Sequence, residues 1–390
     1  MKGLSRGQGL STLVSIQYLR AAAAIMVVYY HIFSNHVAEH WAGGRNFGLS
    51  GVDIFFVISG FIMWTSTSHQ RGGLVKFLRR RVYRIYPLWW IALTVWILVR
   101  LALPDRLHNA DVTPYSVICS YLLIPHYHRV FLGHIWPILV PGWTLQLEVF
   151  FYLVFSLSLL IPRRAARLAA VIAALCILAL LGTGHGPEGA LLRAYTSPLL
   201  LEFVAGIGLA ALLPLLQRVP AGLGSTAIAL GIGLIILNYG LIVESGIGRV
   251  LILGIPATMI VGGALVLEPL LARWPNPLLL LFGDASYSLY LTHSVAIAAA
   301  AVIWEKLHLP SGSGIATTPF IPLALLVCLV CSVLVYRWVE KPLLGWLLPN
   351  KRSGTHIPAL PTTALEVATA EAQPPSAILS EPEQGPPSPA

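Results

Sequence analysis

Charge is what this chain has least of. Only 11% of its 390 residues are Asp, Glu, Lys or Arg, whereas 56% are hydrophobic; an ordinary soluble domain has about 25% charged residues. So few charges cannot cover a water-exposed surface, which argues against a soluble protein. Apolar runs of spanning length recur instead and place the chain among all-α polytopic membrane proteins. Cysteine is also scarce: the four are Cys119, Cys176, Cys328 and Cys331, all in apolar stretches. Cys328 and Cys331 form a lone CxxC inside an expected span, with no second pair, so neither zinc nor redox chemistry is expected and no metal site is assigned. A Walker loop, a GxGxxG after a strand, HExxH and GxSxG are missing, so nucleotide hydrolysis and serine hydrolysis have no motif to stand on. The formal charge of +9 does not signal nucleic acid. The basic residues sit in short clusters between apolar segments, as the positive-inside rule requires.

Apolar length and Lys/Arg bias predict about ten spans with both termini inside. They lie at 12–33, 48–68, 87–103, 143–161, 165–181, 196–216, 223–243, 249–267, 284–304 and 319–339. The first has Lys2 and Arg6 on its inner side and full spanning length without a cleavage site, so it reads as a helix and not a signal peptide. An outer loop after it carries His36 and His40. The densest basic cluster, Arg71, Lys76, Arg79, Arg80, Arg81 and Arg84, falls inside. Residues 115–125 are apolar but half the length a span needs, which suggests a re-entrant or interfacial piece on the outer side. A full span there would put Arg163, Arg164 and Arg167 outside and invert the charge bias. Three segments follow: a cytoplasmic N-terminus at 1–11, a transmembrane domain at 12–348, and a tail at 349–390. The tail is rich in Pro, Ser, Glu and Ala and is expected to be cytoplasmic and disordered. Chemistry is therefore expected within the membrane bundle.

The first span is unusual in carrying Arg20 near its middle and His31 near its far end. Eleven helical steps are three turns plus about 20°, so both side chains share a face, about 16 Å apart along the axis. An intramembrane cation needs a partner or a water-filled cavity and defaults to function. His31, Asp53 in GVDIFFVISGF and Glu148 in GWTLQLEVFFY fall at similar depth in their spans. A histidine with a carboxylate beside it is the pair a general base requires, because the carboxylate fixes its tautomer and stabilises the imidazolium. Either Asp53 or Glu148 could serve. Arg20, deeper, is placed to neutralise developing negative charge. Arg81 and Arg84 share a helical face where the next span enters the membrane, which suits a phosphate-bearing ligand arriving from the cytoplasm. Ser286, Tyr290 and His293 form one stripe that serves either interhelical hydrogen bonding or catalysis. Glu340-Lys341-Pro342 reads as a terminus device.

YLRAAAAIMVVYYH, GVDIFFVISGFIMW, RRRVYRIYP, GWTLQLEVFFY, SYSLYLTH and VEKP follow one another in that order. Together they resemble the acyltransferase-3 family, and most closely its exopolysaccharide acetyltransferase branch, over residues 12 to 345. The resemblance implies O-acylation, commonly acetylation, of an envelope or exported polysaccharide or lipid-linked glycan by a multi-pass protein of the bacterial inner membrane. The donor is cytoplasmic acyl-CoA, acetyl-CoA in most members, as co-substrate, with no permanently bound cofactor. Polysaccharide-synthesis machinery and membrane lipids are the implied partners. By matching motif, Arg20 and His31 correspond to an essential Arg-x10-His pair, Arg81 and Arg84 to a donor-binding RxxR, and Glu148 to the acidic residue after a Trp-Ser-Leu-type motif. Ala21 departs from the Gly found after that arginine in many members, and Gln146 stands where small or aromatic residues are frequent. A transporter or flippase of a glycan precursor, which would need no acyl-CoA, is the alternative from another class. An acyltransferase acting on a lipid, a protein or an oligosaccharide signal is a further one.

Overall fold

The computed structural model describes residues 13–33, 45–67, 73–102, 112–183, 188–238, 241, 246–309 and 318–348. Lys2, Arg6, His36, His40, Arg71 and the segment 349–390 lie outside the described residues, as do the expectations resting on them. The described residues contain helices and no strand, an all-α polytopic membrane fold. In chain order these are α1 (Val14–Phe33), α2 (Arg45–Thr67), α3 (Leu74–Ala102), α4 (Pro114–Leu122), α5 (Gly142–Ser158), α6 (Arg164–Leu181), α7 (Ala190–Tyr195), α8 (Leu200–Ala211) and α9 (Leu213–Leu216). Next come α10 (Ala221–Leu237) and α11 (Gly246–Arg249), the latter running through a π-helical turn, Val250–Gly254, into α12 (Ile255–Val266). Then follow α13 (Glu268–Leu271), α14 (Pro277–Asp284), α15 (Ser286–Lys306) and α16 (Phe320–Val335), which passes through a second π turn, Tyr336–Glu340, into α17 (Lys341–Leu347).

Eight helical segments are long and apolar enough to cross a membrane. Of the ten expected spans, the two carried by α5 and α10 are shorter, at 17 residues each. The expected span at 87–103 begins earlier than its Pro87 suggested. Its helix, α3, runs for 29 residues with Pro87 inside it, so the basic cluster Lys76–Arg84 is its first turns and not a loop. Pro87 leaves the Tyr83 carbonyl without its helical N–H, a cost that membrane bundles tolerate because neighbouring groups can satisfy the freed backbone. The short piece expected at 115–125 is α4, nine residues, started by a Thr113–Ser116 capping box and stopped by Leu123 at φ 55°. Its final carbonyls would be orphans in an apolar medium. They are taken by α3: Trp89 Nε1 donates to Ser120 O (2.9 Å), Trp90 Nε1 to Tyr121 O (3.0 Å) and Tyr86 OH to Leu122 O (3.2 Å).

The centre of the bundle is α2, 72% buried over its spanning window, whereas α6 at 17% is peripheral. Without a hydrophobic drive between helices in lipid, close packing depends on small residues. A Cβ on Gly60 would sit 2.1 Å from Phe203 O, and one on Gly206 would sit 1.9 Å from Val57 O, so α2 and α8 cross backbone on backbone. Gly48 and Gly51 let α2 approach α1 in the same way. The first turn of α1 is capped from a distance. Val14 N and Ser15 N donate to Glu268 Oε1 (2.9 Å) and Oε2 (2.7 Å), a carboxylate where the helix dipole favours one.

Candidate active site

His31 stands in the last turn of α1 and lines a cavity of about 850 Å³. Its Nδ1 lies 2.9 Å from Val27 O. A carbonyl oxygen only accepts, so Nδ1 carries the proton and Nε2 keeps its lone pair, the tautomer a general base needs. The orienting partner is therefore main chain, where a carboxylate was expected. The ring of His293, from α15, lies against it with centroids 4.6 Å apart. His293 is fully buried, and its Nδ1 lies 2.7 Å from Tyr290 O, which directs its Nε2 toward Ser294 Oγ at 3.4 Å. Tyr290 and Ser294 line the same cavity. The Tyr290 hydroxyl donates to Pro141 O at 2.7 Å and lies 2.6 Å from Thr144 Oγ1, tying α15 to the start of α5. Gln146, noted above as a departure from the family pattern, lines the cavity too and donates to Ile124 O at 3.2 Å.

The two candidate carboxylates are elsewhere. Asp53, fully buried, takes two hydrogen bonds from Arg249: Nε to Oδ1 (3.0 Å) and Nη2 to Oδ2 (2.9 Å). Arg249 also stacks over Trp143, its guanidinium 5.5 Å from the ring centre. Glu202 lies beside this pair, within reach of both charges, and its two buried oxygens accept no hydrogen bond among the described residues. Asp53 neighbours Val52, which lines the cavity, but one residue along a helix turns the side chain by about 100°, away from His31. Glu148 accepts from Ser59 Oγ (2.8 Å) and from Tyr152 OH. The preceding residue, Leu147, lines the cavity, but Glu148 is turned about 100° from it and bonds to Ser59, which lies seven residues past the cavity-lining Val52 on α2.

That deeper level holds the remaining expected residues together. Arg81 stacks on Phe77 and Tyr152 at 5.3 and 5.6 Å, and its buried Nε has no hydrogen-bond partner. Arg84 donates from Nη1 to Glu340 Oε1 at 2.6 Å, and Ser288 Oγ donates to the other oxygen at 2.5 Å. Arg20 Nη1 donates to Gln17 Oε1 (2.9 Å), and Gln17 Nε2 to Asp284 Oδ1 (2.8 Å). The charges acting on Arg20 are those of Arg84, Glu340, Asp284 and Glu148. One helix therefore serves two sites: its middle supplies a cation to the arginine cluster and its end supplies an imidazole to the cavity. The cavity lining includes His31 but not Arg20, Arg81 or Arg84.

Residues 13–337 match the family described as "Acyltransferase domain", Acyl_transf_3. The chain belongs to the acyltransferase-3 family. It is 35% identical over 318 residues to the exopolysaccharide production protein ExoZ of Rhizobium meliloti (strain 1021), covering 79% of this chain and 93% of that one. YrhL of Bacillus subtilis (strain 168) is 27% identical over 365 residues, 83% of this chain and 54% of that protein. The peptidoglycan O-acetyltransferase OatA of Listeria monocytogenes is 31% identical over 160 residues, 38% of this chain and 24% of that protein. No solved structure matches.

Three features of this acyltransferase were not assigned from its sequence. Glu340 is no terminus device: it is 2% exposed, inside the π turn, and bonded to Arg84. Its signal was a carboxylate ending an otherwise apolar span. Arg249 and Glu202 carry the same signal, an ionisable residue inside an apolar run; Arg249, the first residue of the expected span 249–267, is 1% exposed. Gln17 gives no such signal, since an uncharged amide at a helix start is ordinary. Among the described residues no group of three His, Cys, Asp or Glu could hold a metal ion.

Proposed function

We propose that this protein transfers an acyl group, acetyl in the simplest case, from cytoplasmic acyl-CoA to a hydroxyl of an exported or envelope polysaccharide, across the bacterial inner membrane. The observation that carries the reading is His31, whose Nε2 lone pair is left open to a cavity while its Nδ1 proton is fixed on Val27 O. The acceptor sugar enters that cavity. Nε2 takes the proton of its hydroxyl as the oxygen attacks the thioester carbon. The tetrahedral adduct then expels the thiolate by breaking the C–S bond, and the imidazolium returns its proton to sulfur. No co-reactant is consumed. Ser294 lines the same space, and its hydroxyl is available to the developing oxyanion.

Donor binding falls to the deeper cluster. Arg81, packed against two rings and with an Nε that has no hydrogen-bond partner among the described residues, can take an anionic ligand; Arg84 is held in place by Glu340. Arg20 stands about 16 Å from His31 along α1, further than a guanidinium reaches to an oxyanion beside the imidazole. Its neighbours, Arg84, Glu340, Asp284 and Glu148, support a role in holding the donor instead. Asp53 serves here to hold Arg249 in the cavity wall, and Glu148 to place Tyr152 beside Arg81. ExoZ and OatA, named for exopolysaccharide production and peptidoglycan O-acetylation, support a polysaccharide acceptor.

The test is acetyl transfer from labelled acetyl-CoA to cell-surface glycan in membranes that contain equal amounts of each variant. His31→Ala and Arg84→Ala should both lose the label; full activity in either refutes its role. Glycan translocation that persists without acyl-CoA would show a flippase instead.

A further inference from the structure

The cavity beside His31 has a charge pattern that acyl transfer alone does not require. Its basic lining residues are His31, His134, Arg193 and Arg249, with no carboxylate among the described residues that line it. Arg249 is neutralised by Asp53. Arg193, on the short helix α7, is exposed, and its guanidinium makes no hydrogen bond or ion pair with any described residue. Among the described lining residues, Arg193 is therefore the one unpaired arginine. The same lining holds a stack of rings: His134 lies on Trp136 with centroids 4.0 Å apart, and Phe131 packs edge-on to Trp136 at 5.3 Å. The surface is preformed, because His128 N donates to His134 O (2.9 Å) and His134 N to Phe131 O (3.1 Å).

We propose that the cavity selects an acceptor sugar bearing a carboxylate, bound by Arg193, with the pyranose ring resting on Trp136 and His134. The inference rests on reading this cavity as the acceptor site. A pyranose offers an apolar C–H face to an aromatic plane, and the planar fork of arginine matches a carboxylate in two parallel hydrogen bonds. One unpaired cation balances the single charge of a uronate or a carboxyl-bearing ketal. The diphosphate of a lipid carrier would call for more donors than this rim provides. The aromatic surface fixes where the ring lies and the arginine fixes which way it faces, so the pair decides which hydroxyl reaches His31.

The full-length protein in nanodiscs is titrated calorimetrically with an oligosaccharide of alternating glucuronate and glucose, and with the same oligosaccharide after its carboxyls are reduced to alcohols. The acidic form is expected to bind at least tenfold more tightly, as charge-assisted hydrogen bonds imply, and salt should erode the difference. Arg193→Gln should abolish the preference and leave the reduced form's affinity unchanged. Equal wild-type affinities overturn the proposal. So does an Arg193→Gln loss that is the same for both forms, which would point to a phosphate or to a structural role. Acetyl transfer is scored separately on the same samples. Carboxylate-selective binding without transfer keeps the proposal and sinks the acyltransfer reading.

Discussion

Replacing Arg249 by Met leaves the carboxylates of Asp53 and Glu202 facing each other in an apolar interior with no cation. Replacing Asp53 by Asn leaves Arg249 with Glu202 in reach and an amide oxygen where one carboxylate oxygen stood. The two halves of this pair are therefore unequal, although the hydrogen bonds between them, 2.9 and 3.0 Å long, are shared. Breaking a buried ion pair costs about 3–5 kcal/mol because the survivor stays desolvated and uncompensated. That figure applies to Arg249→Met. For Asp53→Asn the guanidinium keeps a counter-charge, and the loss is closer to that of a buried hydrogen bond, about 1–3 kcal/mol. Thermal unfolding in detergent should give the larger Tm drop for Arg249→Met, and Asp53→Asn combined with Glu202→Gln should fall as far. Equal drops for the two single variants would refute Glu202 as a substitute counter-charge for Arg249. The same samples decide whether Asp53 is catalytic. With its carboxylate on Arg249 and His31 held by Val27 O, Asp53→Asn should keep much of its acetyl transfer; a fully stable but dead variant would restore the role its sequence position suggested.

Glu340→Gln removes the counter-charge of Arg84 and should raise the KM for the acyl donor about tenfold while leaving the acceptor KM unchanged, read from initial rates with each substrate varied. Gly206→Ala puts a methyl group 1.9 Å from Val57 O, so α2 and α8 must part, at about 1–3 kcal/mol for an overpacked contact. Gly208→Ala on the same helix meets nothing within 4 Å and should not shift the Tm. Glu268→Ala uncaps α1 and should cost about 0.5–2 kcal/mol, seen as faster hydrogen exchange at Val14 and Ser15.

Much of the bundle could be read from apolar length, because lipid forces every backbone group into helices. Boundaries were harder. Pro87 marked a helix start that α3 ignores, since a proline in lipid is supported by neighbouring helices, and Gln146 proved to be a tie to the chain after α4. Because α1 is continuous over Val14–Phe33, the helical period puts Arg20 and His31 on one face, but a shared face says nothing about the partners brought by helices distant in sequence. Those came from α5, α15 and the turn ending at Glu340, and they divided Arg20 from His31. Estimating depth from span position put His31, Asp53 and Glu148 at one level. Glu148 is deeper, and the axial rotation of one residue turned Asp53 toward Arg249. Arg81 and Arg84 share a face, but only the packing reveals that Arg84 is committed to Glu340 and that the Nε of Arg81 has no hydrogen-bond partner among the described residues.

The bond from His31 Nδ1 to Val27 O joins a side chain to the main chain of its own helix, one turn below. No point mutation can delete a peptide carbonyl. The proton-accepting nitrogen is thus insulated from drift in the surrounding walls, and those walls can be rebuilt for another glycan with the reactive imidazole left untouched. Retooling this scaffold toward new sugars should begin at the rim, with α1 kept as it is.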